Sequence, residues 1–439
     1  EMCIRDSKKL RLRQPGAPLL VTEFWAGWFD QWGADHRQRG DATETARRAL
    51  EILGCGAQYN YYMWHGGTNF AFWGSRLCRT DSSYQTTSYD YDATLAEGGG
   101  LTDKYYLTRL VNMAASYMGR FFAASKADPP GVNIDDAPDA LNISGPLGRL
   151  AVITGNGRDE IDSATVSLPN GRMLKVSLEP LGAVLVPVGL KLSEERTLDY
   201  ANLMPLGEFG DNILLLHGPE GWPGEISVNG RELRAEVPEG DDVTVHEHEG
   251  LKIVLVNSDL ATRTWLVDDT LVFGPDFVGE TVEDVVCGRR LKQYVLMEPD
   301  GTVTLKKVKT PPPARRAPPR LGPWKRVLVC KEPVADGLEW RRIDRPRDVD
   351  RLGVHYGYLW YRVETTEPRA VRRHLFLPDC EDRATMFLNG ELIGVWGRGD
   401  GATRTPIGAN FKRGSNVLTF LVDNLGRLNF GPRIGELKG

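Results

Sequence analysis

From about residue 130 onward the chain consists of short runs of period-two alternation broken by turn residues, and long helical periodicity disappears. Three Asn-Gly pairs sit between strand-like arms: Asn170-Gly171 after Thr165-Val166-Ser167-Leu168, Asn229-Gly230 after Glu225-Ile226-Ser227-Val228, and Asn389-Gly390 after Thr385-Met386-Phe387-Leu388. Asn-Gly is the strongest short-range hairpin signal, because both central residues of a type I′ turn need positive φ. The pattern predicts an all-β region built as sandwiches over most of the chain. At 439 residues the chain exceeds one ordinary core, so about two to four domains are expected.

Upstream the periodicity differs. Leu19 to Glu23 reads as a buried strand, four mostly apolar residues closed by a carboxylate. Asp41-Ala42-Thr43-Glu44 is a capping-box pattern, an acidic N-cap with a glutamate three residues on. Ala46, Ala49, Leu50 and Leu53 follow at helical spacing, and Gly54 is placed to stop the helix. Glu44 and Glu51 fall in that pattern and are expected to face solvent. Ala57 to Tyr62 reads as the next strand. A second helix follows Thr102, with Leu107, Leu110, Val111, Ala114, Met118 and Phe121 on one face. Strand, helix, strand, long loop and helix over residues 15–124 is the order of the last two βα units of a parallel barrel.

Composition bounds the partners. A formal net charge of −5, with basic residues spread along the chain, argues against nucleic acid or an anionic membrane surface. No apolar stretch is long enough to span a bilayer. The run Lys8-Lys9-Leu10-Arg11-Leu12-Arg13 reads as a solvated terminus. Cys3, Cys55, Cys78, Cys287, Cys330 and Cys380 lack the C-x-x-C spacing of a zinc site and fit scattered buried thiols, with room for one or two disulfides. Thr310 to Arg320 is proline-rich, lacks the donors a sheet interior needs, and reads as a semi-rigid linker.

Three segments bear chemistry. Pro18-Leu19-Leu20-Val21-Thr22-Glu23-Phe24-Trp25-Ala26-Gly27-Trp28 sets a carboxylate at a strand end among aromatics. Tyr59-Asn60-Tyr61-Tyr62-Met63-Trp64-His65-Gly66-Gly67-Thr68-Asn69-Phe70 follows, and then Thr87-Ser88-Tyr89-Asp90-Tyr91-Asp92-Ala93. A strand-end carboxylate ringed by indoles is how a sugar-cleaving barrel presents a nucleophile; retaining enzymes set two carboxyl groups about 5 Å apart. Together the three segments resemble the last part of the catalytic barrel of family-35 glycoside hydrolases, the β-galactosidases.

The resemblance implies a retaining, exo-acting β-galactosidase (EC 3.2.1.23) that removes terminal β-D-galactosyl residues from an oligosaccharide or glycan by double displacement. It implies no cofactor and no metal, and a secreted or periplasmic parent; it leaves linkage preference and oligomeric state open. Glu23 matches the family's nucleophile. Trp28 matches a tryptophan lining the sugar pocket, Tyr62 a tyrosine at the end of the last barrel strand, and Tyr91 a tyrosine brought in by the following loop. Asn60, two residues before Tyr62, would share its strand face. The family's acid/base glutamate lies in an Asn-Glu-Tyr type motif upstream of the nucleophile, and no such motif occurs here. The chain therefore reads as a fragment that is inactive alone, since general acid–base assistance is typically worth about 10²–10⁴-fold.

Each assignment has a plainer competitor. Alone, Glu23 would be read as a surface or salt-bridged glutamate. Trp25 and Trp32 read as packing. His65 reads as bonded to backbone, with Gly66 and Gly67 letting the loop turn. Asp90 and Asp92 read as structural hydrogen-bonding groups rather than metal ligands, and Glu97 lies in a loop whose acid is not the family's proton donor. Tyr358, Trp360 and Trp396 could form a carbohydrate platform, although alternation favours core.

The expected division is a non-native leader (1–14), the barrel part (15–124), a small β-sandwich (125–205), a second β-domain (206–308), the linker (309–322) and a galactose-binding-like jelly roll (323–439) that is expected to be cut short. The rival function is an array of carbohydrate-binding or structural β-modules carrying an inert barrel remnant. A hydrolase of another β-glycoside class is a third reading.

Overall fold

The computed structural model describes residues 9–31, 41–71, 73–74, 76–77, 84–128, 133–134, 139–155, 162–210, 212–287, 291–308, 319–327, 329–399 and 401–435. Trp32, Cys3, Cys78 and most of the proline-rich tract lie outside those residues. The fold is mostly β-sheet with few helices.

Strand β1 (Leu19–Phe24), helix α1 (Ala42–Gly54), strand β2 (Ala57–Tyr61) and helix α2 (Asp103–Tyr117) follow one another, and β1 pairs with β2 in parallel. The Asp41 carboxylate caps α1 by accepting from the Glu44 backbone N–H at 2.5 Å, a bond typically worth about 1 kcal/mol. The helix runs through Gly54, one residue past the expected end, with Cys55 as its C-cap. Gly54 lies inside α1, where a Cβ would stand 2.9 Å from both Leu141 and Val152, so its role is close packing. Gly56, at φ +66°, supplies the left-handed turn. Glu51 does not face solvent: it is 8% exposed and paired with Arg47. On α2 the expected stripe is buried at Leu110, Val111 and Ala114, with Leu107 packed partly against it, but the helix ends at Tyr117: Met118 is its C-cap, and the buried Phe121 lies in a separate short helix, Gly119–Ala124. Arg109 anchors α2 to the β-rich region, its guanidinium 3.8 Å from the Trp265 ring centre and bonded to the Thr262 carbonyl at 3.1 Å.

The expectation of a buried β1 needs correction. Leu19 and Phe24 are buried, but Leu20 is 53% exposed and Thr22 and Glu23 also face solvent. Among the described residues β1 pairs only with β2. The helices cover one face of this two-stranded sheet and leave the other open.

The downstream region is mostly β, with a short helix at Ser258–Thr262 that the sequence pattern did not predict. One seven-stranded sheet runs in the order 231–236, 223–228, 197–201, 183–191, 148–154, 139–145 and 126–128, drawing strands from both sides of residue 205. A four-stranded sheet orders 204–209, 213–218, 251–257 and 244–248, and another orders 264–267, 270–273, 293–297 and 303–307. Of the Asn-Gly turns, two have the predicted geometry: Asn229 and Gly230 at φ +51° and +76°, Asn389 and Gly390 at +50° and +87°. The third does not. Strands 163–167 and 173–177 are joined by five residues, with the Gly171 N–H bonded to the Leu168 carbonyl at 2.9 Å. Pro169 is the reason, because its fixed φ suits the first central position of a type I turn.

The chain divides into two compact units: Glu1–Ala26, Arg39–Trp64 and Gly100–Arg315 in the first, and Gly27–Gln38, His65–Gly99 and Arg316–Gly439 in the second. In the second unit a four-stranded sheet orders 357–367, 414–424, 383–388 and 391–397. Trp396 is core, as expected, but Tyr358 is 49% exposed because its strand lies at the sheet edge. Segment 65–99 is fastened to this unit in several places. Arg76–Leu77 pairs with Leu428–Phe430, Trp73 packs against Tyr356 with ring centres 5.5 Å apart, and the buried Tyr84 donates to the Glu381 carbonyl at 2.9 Å.

Candidate active site

Glu23, Asn60 and Tyr62 belong to the first unit, Trp28 and Tyr91 to the second. In the first unit the pairing register shifts between Val21 and Phe24, so that β1 runs Val21, Thr22, Glu23, Phe24 against Tyr59, Asn60, Tyr61. Strict alternation would put Glu23 with Leu19 and Val21 on the helix-covered face and turn Phe24 to solvent. The extra residue reverses both. Phe24 is 5% exposed, with ring centres 5.2 Å from Tyr61 and 5.7 Å from Tyr59, while Glu23 opens to solvent. The energetics favour the bulge: burying Phe is worth about 1.5–3 kcal/mol, and an unpaired buried carboxylate costs several more. Bulges beside active sites commonly re-aim a side chain in this way.

On the open face, the Trp25 indole Nε1 donates to Glu23 Oε2 at 3.1 Å. Asn60 Nδ2 donates to the Thr22 carbonyl at 3.1 Å, tying β2 to the bulge, and the Tyr62 N–H donates to the Phe24 carbonyl at 2.9 Å. The Tyr62–Met63 peptide bond is cis. Beneath the sheet, Tyr59 and Tyr61 both donate to Asn112 Oδ1 of α2, at 2.7 and 3.3 Å. Burial pushes the Tyr61 hydroxyl up to about 12 and raises Tyr59 further, so both stay neutral. Lys104, 5% exposed, donates from Nζ to the Ala26 carbonyl at 2.9 Å. Neither Trp25 nor Lys104 was expected at the site. Lys104 had a signal, since it stands four and seven residues before the buried Thr108 and Val111.

In the second unit, Trp28 lies 5.9 Å from Tyr91 and 5.2 Å from Phe29 between ring centres, and Tyr89 lies 5.4 Å from Tyr91. Tyr91 is 2% exposed, with φ +66°. Two motif glycines exist because the 89–92 backbone lies against them: a Cβ on Gly27 would stand 2.0 Å from the Tyr91 carbonyl oxygen, and one on Gly66 1.8 Å from that of Tyr89. Glu97 ties the loops together. Its carboxylate accepts from Ser88 Oγ at 2.6 Å and from Thr68 Oγ1, its N–H donates to Asp90 Oδ1 at 2.7 Å, and its carbonyl lies 3.2 Å from His65 Nε2. The Ser88 and Thr68 bonds hold the Glu97 carboxyl below its ordinary value, which suits an anionic clamp and not a proton donor. His65 is bonded to backbone and Asp90 is a structural acceptor, as read. No group of three or more metal-ligating side chains occurs among the described residues.

Residues 3–115 match the glycosyl hydrolases family 35, and residues 346–439 match the first all-beta domain of beta-galactosidase. Over these two stretches the chain is similar to family-35 glycosyl hydrolases of the β-galactosidase type. The beta-galactosidase-1-like protein 3 of Rattus norvegicus is 29% identical over 229 residues, which is 49% of this chain and 34% of the rat protein. The beta-galactosidase of Homo sapiens is 45% identical over 97 residues, 22% of this chain and 14% of the human protein. That of Pongo abelii is 46% identical over 97 residues, again 22% and 14%. The matched part thus spans about a third or less of these relatives' length.

Proposed function

We propose that the chain carries the nucleophile portion of a retaining β-galactosidase, with β1, α1, β2 and α2 as the last two βα units of a (β/α)8 barrel. Glu23 is the nucleophile, attacking the anomeric carbon of a terminal β-galactosyl residue to form a galactosyl ester that water then hydrolyses. Asn60 and Tyr62 serve beside it, and Trp28 and Tyr91 take the sugar-binding roles implied by the family motifs. Tyr91, being buried, acts by backing Trp28. The observation that carries the reading is the bulge, which lifts Glu23 out of the apolar face within a family-35 stretch. The acid/base glutamate is not supplied by these residues, since no Asn-Glu pair occurs in the sequence and Glu97 is engaged as an anion. The chain alone is therefore expected to leave aryl β-galactosides uncleaved, and turnover at ordinary glycosidase rates would refute that part. In the whole protein, Glu23→Gln should abolish turnover; near wild-type activity would remove Glu23 from the mechanism. The exposed β1–β2 face favours one alternative, a β-module array with an inert barrel remnant, which glycan binding by the β-region without any hydrolysis in the whole protein would support.

A further inference from the structure

Three contacts on the first unit converge on one residue that the family motif does not single out by itself. Trp25 stands two residues after Glu23, on the same side of the departing strand. It is 52% exposed, so it forgoes much of the burial that makes tryptophan useful in a core. Its indole N–H is nevertheless engaged, donating to Glu23 Oε2 at 3.1 Å. The backbone on either side is pinned: the Phe24 carbonyl accepts from the Tyr62 N–H at 2.9 Å, and the Ala26 carbonyl accepts from Lys104 Nζ at 2.9 Å. Lys104 lies in the first turn of α2, whose N-cap is Thr102. A cation there opposes the helix dipole, so helix stability does not explain a buried ammonium at that position. Holding the turn that carries Trp25 does.

We infer that Trp25 is the positioning residue of the Glu23 carboxylate, its N–H fixing Oε2 so that Oε1 is the attacking oxygen. The inference rests on the nucleophile reading of Glu23. A carboxylate free to rotate presents either oxygen in many orientations; a single directed donor confines it near the alignment that displacement requires. In the reaction, an Oε1 lone pair forms the bond to the anomeric carbon while the bond from that carbon to the leaving group breaks and the leaving group takes the electron pair. The indole proton stays on Nε1 throughout, so Trp25 acts through Glu23 and transfers nothing.

Two measurements test this. In indole-15N NMR of the chain, Trp25→Phe identifies the Trp25 resonance by its loss. Glu23→Gln should then move that resonance and speed its hydrogen exchange about tenfold, the scale of losing one charge-assisted hydrogen bond, while Glu97→Gln leaves it in place. The second uses the whole protein and a 2-deoxy-2-fluoro-β-galactosyl fluoride, whose fluoride departs without general acid help. Replacing Trp25 by 3-benzothienylalanine, which keeps the ring shape and removes only the N–H, should slow labelling of Glu23 at saturation about tenfold, with the half-saturating concentration unchanged. A packing role would leave the isostere at the wild-type rate, and that result overturns the inference. An unmoved indole resonance with the adduct still on Glu23 overturns the role of Trp25 alone. An adduct on another residue overturns the nucleophile assignment, and the inference with it.

Discussion

Gly27→Ala isolates the close approach on which the Trp28–Tyr91 arrangement depends. The added Cβ would stand 2.0 Å from the Tyr91 carbonyl oxygen and 2.8 Å from that of Asp92. Carbon–oxygen contacts settle at about 3.3 Å, so the two backbones must part by about 1.3 Å. Neither side yields readily, because the obstructing atoms are main chain and Tyr91 and Asp92 already hold φ of +66° and +50°. Gly27 itself is not left-handed, so alanine is conformationally allowed and the clash is the whole effect. Overpacking costs about 1–3 kcal/mol, and a rigid backbone obstacle sets the expectation at the upper end, about 3 kcal/mol. For a unit of this size that corresponds to a melting temperature lower by about 6–12 °C. Unfolding followed by tryptophan fluorescence is the assay, with Gly98→Ala as control. Gly98 is exposed, and a Cβ added there would meet nothing within 4 Å, so that change should stay within about 0.5 kcal/mol. Equal stability of the two variants would refute the close-approach argument.

Two pH effects are expected in the second unit, with opposite signs. Hydrogen bonds from Ser88 and Thr68 lower the Glu97 carboxyl below 4.5, so its clamp contributes fully above that value and is lost as pH falls through the lowered one. Hydrogen-exchange protection over residues 84–99 should therefore persist until strongly acid conditions, and be weaker in Glu97→Gln at every pH above the lowered value, the two proteins converging below it; identical protection at neutral pH would count against the clamp. Burial pushes the Asp423 carboxyl from 3.8 up to about 6, with Arg383 opposing and Asp382 adding to the rise. Its folded form binds the proton more tightly, so its contribution to stability is greatest below 3.8 and declines as pH rises to about 6. Asp423→Asn should flatten urea stability across that window, and an unchanged slope would show that the carboxyl is not the source.

The parts of this molecule that were legible are those governed by a single period. The stripe from Leu110 to Ala114 and the Asn229 and Asn389 hairpins formed because nothing nearby competes with the local signal, whereas the helix expected to carry the stripe on to Phe121 breaks at Met118. Where a neighbour intervenes, the reading slipped: Pro169 replaced a two-residue turn with a longer connection, and Leu141 and Val152 drew Gly54 into the helix, leaving the turn to Gly56. The orientation of Glu23 depends on one extra residue in β1, which inverts the alternation from which its face would be inferred. Trp25 looked like packing for the same reason, since its partner is visible only after the bulge is known. Lys104 was overlooked because a lysine in a first helical turn ordinarily reaches water.

The fastening of segment 65–99 to the C-terminal sheet has a consequence for how such genes can be rearranged. Arg76–Leu77, Trp73 and Tyr84 belong to the stretch that matches the hydrolase family, whereas Leu428–Phe430, Tyr356 and Glu381 belong to the stretch that matches the all-beta domain. The two stretches are separate in the gene yet stitched into one body. A cassette exchange made at residue 346 would unpick those stitches while leaving every catalytic motif intact on paper. Recombination should therefore tolerate the pair travelling together from one parent and reject chimaeras that draw them from two.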